Sequence, residues 1–168
     1  MPEAPSITGE QFKALMGSFA AGVTVVTTRD SSGSAWGLTA TAFTSLSLDP
    51  PLCLVCIDRR TASHQHLVES GRFAVSVLTD QQQSVSNQFA SRVPDKFAGV
   101  PWQEGPITAV PVLSEALAWM ECEIAAIHGG GDHDILVGRI VSAHVRDGRP
   151  LVYWRGAYGD VTPRPKTW

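Results

Sequence analysis

The chain has 168 residues, 43% hydrophobic and 17% charged, with 13 Lys+Arg against 16 Asp+Glu for a net charge of −3. One domain of this size buries about 70% of its unfolded surface and needs no disulfide or structural metal, and the composition excludes disorder, collagen, a coiled coil and a disulfide scaffold. With no basic stripe, a nucleic-acid partner is excluded too. Three cysteines, a start unlike a leader peptide and no apolar run near 18 residues point to the cytoplasm and away from a membrane. So light a charge means either a well-filled core or a surface covered by a partner subunit or cofactor.

Thr8-Gly9-Glu10-Gln11 has the form of a capping box, and Phe12, Leu15, Met16 and Phe19 follow at i, i+3, i+4 and i+7. This predicts an amphipathic helix over 9–20, ended near Gly22. β-Branched residues 23–28 predict a strand, and Asp30-Ser31-Ser32-Gly33 a turn. Residues 35–48 are strand-like but rich in Ala, Ser and Thr, and Asp49-Pro50-Pro51 ends them. The apolar run 52–57 has the pattern of a strand buried on both faces. A short helix over 61–70 closes at Gly71, and 73–78 form another strand. Asp80 and Gln83 are placed to cap a helix reaching about Ser91. Residues 92–111 hold four prolines and form a long ordered excursion, a length usually functional or lid-like. Long strands over 117–127 and 135–145 flank a glycine-rich turn, and Asp147-Gly148 turns into a strand over 151–154. Six or seven strands in hairpin order with two or three marginal helices argue for a barrel or sandwich.

Cys53 and Cys56 are spaced as C-x-x-C but lie inside a strand-like run, where that spacing sends the side chains to opposite faces. They are expected to be two buried structural cysteines. His64 and His66 diverge on a helix, and no array supports His128, Asp132 or His133 as ligands, so no metal site is expected. No hydrolase motif is present. Gly129-Gly130-Gly131-Asp132-His133 fails the dinucleotide fingerprint, because its sixth position is Asp134 and a β-branched strand follows. It is a hairpin turn, or a turn whose glycines let a ligand approach while His133 faces it. The segment from Trp36 to Pro51 is either an edge strand with a hydroxyl face or a bed for a flat polar ring.

That segment, preceded by residues 19–27, resembles the flavin reductase family of flavin-binding split β-barrels. Later pieces match in order: Ser70 to Leu78, Gln88-Phe89-Ala90, Asp95-Lys96-Phe97, Gly131-Asp132-His133 and Pro150 to Tyr158. The resemblance covers about residues 9–160 and implies a mainly β, Greek-key-like antiparallel split barrel spanning 1–168 as one domain. It also implies a homodimer that reduces FMN or FAD with NADH or NADPH and supplies a flavin-dependent monooxygenase. A flavin carrier or sensor without NAD(P)H turnover is the alternative.

Carried over by residue, the resemblance places Thr39, Ala40, Thr41, Ala42 and Phe43 along the isoalloxazine, with Ser45 toward the ribityl phosphate. Cys56, Ile57 and Asp58 come from the adjoining strand. Thr61, Ala62 and Ser63 offer a helix start, whose free N–H groups and dipole favour a phosphate. Lys96, Phe97 and Phe89 supply cationic and aromatic contacts to phosphate or adenine. His133 faces the nicotinamide as the catalytic-site residue, with Arg155 and Tyr158 near the same pocket.

Overall fold

The computed structural model describes residues 7–164. In chain order these form α1 (Gly9–Gly17), β1 (Ala21–Gly22), β2 (Thr24–Arg29), β3 (Ala35–Ala40), β4 (Phe43–Ser47), β5 (Leu52–Asp58), α2 (Ala62–Ser70), β6 (Arg72–Val77) and α3 (Gln83–Ala90). Then follow β7 (Trp102–Glu104), β8 (Pro111–Leu113), β9 (Ala118–Gly130), β10 (His133–Val145), β11 (Val152–Trp154) and β12 (Ala157–Gly159).

Seven strands make one antiparallel sheet in the order β3-β2-β6-β9-β10-β5-β4. Its two edge strands, β3 and β4, are consecutive in sequence and separated only by Thr41 and Ala42. Two residues span no more than about 10 Å between strand ends, so the sheet must curl until its edges meet. No ladder joins β3 to β4 among the described residues, although the Cys56 N–H donates to the Ala42 carbonyl at 2.9 Å near the joint. The result is a barrel split at that point, as the resemblance implied. The expected single strand-like segment over 35–48 is therefore two strands.

Inside the barrel, Val26, Val55, Ile57, Phe73, Val75 and Leu136 form the main core, and Leu67 of α2 plugs it. Gly138 lies where an added Cβ would strike the Phe73 ring at 2.5 Å, so the barrel closes around a position with no side chain. A second cluster, with Val23, Val25, Leu78, Phe89 and Leu113, packs outside the barrel wall. Strand β2 is buried on both faces because it stands between the two.

Several expectations change in detail. The capping box forms, with Gln11 N–H to Thr8 Oγ1 at 3.2 Å and Thr8 N–H to Gln11 Oε1 at 2.8 Å, but α1 stops at Gly17 because the Ser18 N–H turns back to Leu15 and Met16. Asp80 does not cap α3: its carboxylate takes Arg149 at 2.9 Å, while Gln82 holds the Thr79 N–H. The excursion over 92–111 contains part of a hairpin, β7 with β8. Its turn is fastened by buried Glu121, which accepts the Thr108 N–H and hydroxyl at 2.6 and 2.7 Å. Cys53 is buried and its Sγ lies 3.6 Å from that of Cys122, whereas Cys56 is only half-buried on the other face. Strand alternation along β5 separates the two, as the spacing implied, but only one is a core residue.

Candidate functional site

A cavity of about 1030 Å³ opens between β3, the start of α2, the end of α3 and residues 91–97. Gly37 is central to its wall. Its carbonyl accepts from the Ser63 hydroxyl at 3.1 Å and from Lys96 Nζ at 3.2 Å, so strand, helix and loop meet at one oxygen. Any side chain there would meet the Phe89 ring at 2.7 Å. Phe89, Phe97 and Trp102 then stack edge to face with centroids 5.0 and 5.7 Å apart, and the Arg29 guanidinium covers Trp102.

Lys96 also donates to the Phe89 carbonyl at 2.8 Å and makes no ion pair among the described residues. Burial pushes its ammonium below the ordinary lysine value. The two carboxylates on the cavity wall are engaged elsewhere, Asp58 with Arg60 and Asp95 with the Phe97 N–H at 2.9 Å. Across the cavity, α2 begins at Ala62 with no side-chain cap; the Thr61 hydroxyl turns back to the Asp58 carbonyl at 2.9 Å. The first N–H groups of a helix have no intrahelical partner. Asp58 at the rim is forked by Arg60 at 2.7 Å, which holds its carboxyl well below the usual range.

His133 is paired across the sheet with Asp58, which carries it to the same rim without making it a wall residue. Its Nδ1 lies 2.6 Å from Asp132 Oδ1, and that contact holds the Asp132 carboxyl below its ordinary value. The hairpin it sits on turns through Gly131 in the left-handed region, φ 74°.

Of the residues singled out in the sequence, Thr39, Asp58, Thr61, Ala62, Ser63, Phe89, Lys96 and Phe97 line this one cavity. The Thr39 hydroxyl donates to the Ser86 carbonyl at 2.6 Å. Ala40 and Ile57 are buried in the barrel, and Phe43 packs against its core. Thr41, Ala42 and Ser45 are exposed at the split edge. Thr41 and Arg155 lie instead in a second hollow, of about 830 Å³, beside α1. The Tyr158 hydroxyl is taken up by Ser86 and Asn87 at 2.8 and 2.9 Å. Sequence reading placed Trp36 only within the segment 36–51, without a role of its own, and missed Arg60 and Arg92 on the cavity wall. Trp36 is fixed by its indole N–H to Asp30 at 2.8 Å and by stacking on His66 at 4.0 Å; the tight Asp30 turn beside it was the available signal.

Barrel and cavity together define an antiparallel split barrel with a cleft beside its edge strand β3, lined by a lysine, the start of a helix and aromatic residues. The family model described as flavin reductase like domain matches residues 16–162, and the chain belongs to that family. It is 40% identical over 161 residues to the reductase subunit HsaB of a flavin-dependent monooxygenase from Rhodococcus jostii, covering 95% of this chain and 82% of that one. It is 43% identical over 166 residues to a flavin reductase (NADH) of Kitasatospora aureofaciens, covering 96% and 87%. The NADH:FAD oxidoreductase of Streptomyces globisporus C-1027, solved with NAD and FAD fragments, superposes with a TM-score of 0.89 at 34% identity, covering 97% of this chain and all of that one.

Proposed function

We propose that the protein is an NAD(P)H-dependent flavin reductase, with NADH the preferred donor, which reduces FAD or FMN and passes it to a partner monooxygenase. The observation that carries the reading is the cavity in which unpaired Lys96 faces the uncapped start of α2. The relatives named above, a monooxygenase reductase subunit and NADH-dependent flavin enzymes, support it.

The donor set fits a flavin nucleotide. Lys96 and the N–H groups at the start of α2 suit its phosphate, half-buried Phe97 suits a flat ring, and the exposed Thr41 and Ser45 at the split edge, outside this cavity, suit a polar ring edge. When both nucleotides are bound, the chemistry supplied is hydride transfer from nicotinamide to flavin. The chain's own residues need only bind, orient and exclude water, which explains the lack of a nucleophile or carboxylate pair. His133 orients the nicotinamide, held by Asp132; Arg155 and Tyr158 remain candidates near it only through a second subunit.

A homodimer accounts for those two residues and for α1. Phe12, Leu15, Met16 and Phe19 are each at least half exposed, and α1 buries no residue of its own. An apolar stripe of this kind marks a covered face. We read the chain as one domain working in the cytoplasm; no helix among the described residues is long and apolar enough to cross a membrane.

Spectral titration with FAD and FMN tests the binding half of this reading. Saturable perturbation of either flavin is expected, weakened by salt; no perturbation by either overturns it.

A further inference from the structure

The tip of the β9–β10 hairpin carries His133, yet residues 127–132 are all exposed. Pairing with β5 ends at His133 and Asp58, so the sheet itself does not hold the turn beyond them. A two-stranded tip in water is marginal without further contacts. Something must fix it.

Arg59 does. Its backbone N–H donates to the Asp132 carbonyl at 3.2 Å. Its guanidinium reaches over the hairpin, with Nη1 donating to the Gly131 carbonyl at 2.9 Å and Nε and Nη2 donating to Asp134 Oδ1 at 2.9 and 2.6 Å. Gly129 makes the crossing possible, because a Cβ there would lie 2.9 Å from Nη2. The second oxygen of Asp134 is 2.7 Å from His64 Nε2, on α2. The Asp134 and His64 side chains are only 14% and 16% exposed, so this contact is shielded from water. Asp134 thus joins the end of β5, the hairpin and the helix that lines the cavity.

Neighbours along a strand point to opposite faces. With the Asp134 carboxylate tied on one side, the backbone of His133 is fixed and its ring is presented on the other. We infer that Arg59, His64 and Asp134 form a positioning clamp that sets His133 against the cavity for pyridine-nucleotide use, independently of flavin binding. The inference rests on the nicotinamide role proposed for His133. The flavin side does not depend on the clamp, since α2 is anchored separately by Leu67 in the core and by Ser63 on the Gly37 carbonyl.

A fork to two acceptors is arginine chemistry, which a lysine ammonium on a single point does not reproduce. Loss of orientation by about 1 Å lowers rate by up to about a hundredfold, so a partial loosening is expected to cost about tenfold. The test uses the full chain with FAD, comparing the protein with Arg59→Lys, Asp134→Asn, His133→Ala and the double Arg59→Lys/His133→Ala. Flavin affinity is read by titration, and kcat and KM for NADH at saturating FAD.

Arg59→Lys and Asp134→Asn are expected to lower kcat/KM for NADH about tenfold while flavin affinity stays as it was. The double variant is expected to be no worse than His133→Ala alone, because residues acting through one another are not additive. Losses that multiply in the double variant, or flavin affinity falling as far as NADH use, overturn the clamp alone. If His133→Ala leaves NADH use intact, the role of His133 falls first and the clamp with it. Should Asp134→Asn not fold, Arg59→Lys, which keeps the charge at a half-exposed site, carries the same comparison.

Discussion

The Lys96 ammonium donates to the carbonyl of Gly37 in the cavity wall, 3.2 Å away and 59 residues earlier in the chain. One contact joins the excursion after α3 to the edge strand of the barrel and brings a cation to the cavity wall. Replacing it tests the ligand's charge. Lys96→Met is expected to weaken flavin binding about tenfold at low salt, the worth of one partly buried ionic contact, and the difference is expected to shrink as salt rises. Because burial lowers the Lys96 pKa, wild-type affinity should also decline at alkaline pH sooner than an ordinary lysine would allow, and Lys96→Met should lose that decline. Titrations across salt and pH read both.

Gly37 is intolerant of any side chain. An added Cβ would meet the Phe89 ring at 2.7 and 2.9 Å and the Thr27 methyl at 3.3 Å, all of them packed atoms. Gly37→Ala is expected to destabilise by about 1–3 kcal/mol. Calorimetry would record this as a Tm lowered by about 2–4 °C per kcal/mol at this size. Flavin affinity should fall with it, since the Gly37 carbonyl holds both Ser63 and Lys96 at the cavity wall.

Acid should unfold the protein through a defined set of carboxylates. Asp30 accepts from Ser32, Ser34 and the Trp36 indole, Asp58 from Arg60, Asp132 from His133, and Asp134 from Arg59 and His64. Each is held below its ordinary value of 3.8. A depressed folded-state pKa contributes stability that is present above the unfolded value and lost as pH falls through the folded one. Denaturation midpoints should therefore be level above about pH 5 and drop as pH falls below about 4. Asp30→Asn should flatten that drop, whereas an unchanged slope would exclude the turn from it.

The exposed stripe on α1 predicts an oligomer that one charge disrupts. Met16→Glu or Phe19→Glu is expected to convert the dimer to a monomer in sedimentation, leaving the barrel's melting largely intact because α1 buries nothing in its own subunit. A wild-type chain that sediments as a monomer would remove the dimer.

How far the sequence reached depended on whether a feature was local. The capping box at Thr8 and the left-handed Gly71 closing α2 were legible because each is a short-range hydrogen-bond or backbone requirement. The β3–β4 break at Thr41-Ala42 was not: Thr39, Ala40, Thr41 and Ala42 are all small and carry no turn residue, and the break exists because the sheet closes on itself. The α1 stripe had the right period, but periodicity reports an apolar face and not what covers it. Strands as short as β7 and β12 carry too few residues for any period. The cavity-lining residues Lys96 and Ser63 came only with the family resemblance, since nothing local reveals that both converge on Gly37. Arg59 and Asp134, 75 residues apart, were invisible for the same reason.

The central claim is hydride transfer from a reduced nicotinamide to a flavin at this cavity. Anaerobic stopped-flow mixing of the protein and FAD or FMN with NADH measures it most directly, by the bleaching of oxidised flavin. The expected result is saturable flavin reduction far above the uncatalysed rate, with the dependence on NADH concentration degraded by His133→Ala and the dependence on flavin concentration degraded by Lys96→Met. Flavin that binds but stays oxidised with both NADH and NADPH would contradict the account and leave a flavin-holding barrel in its place.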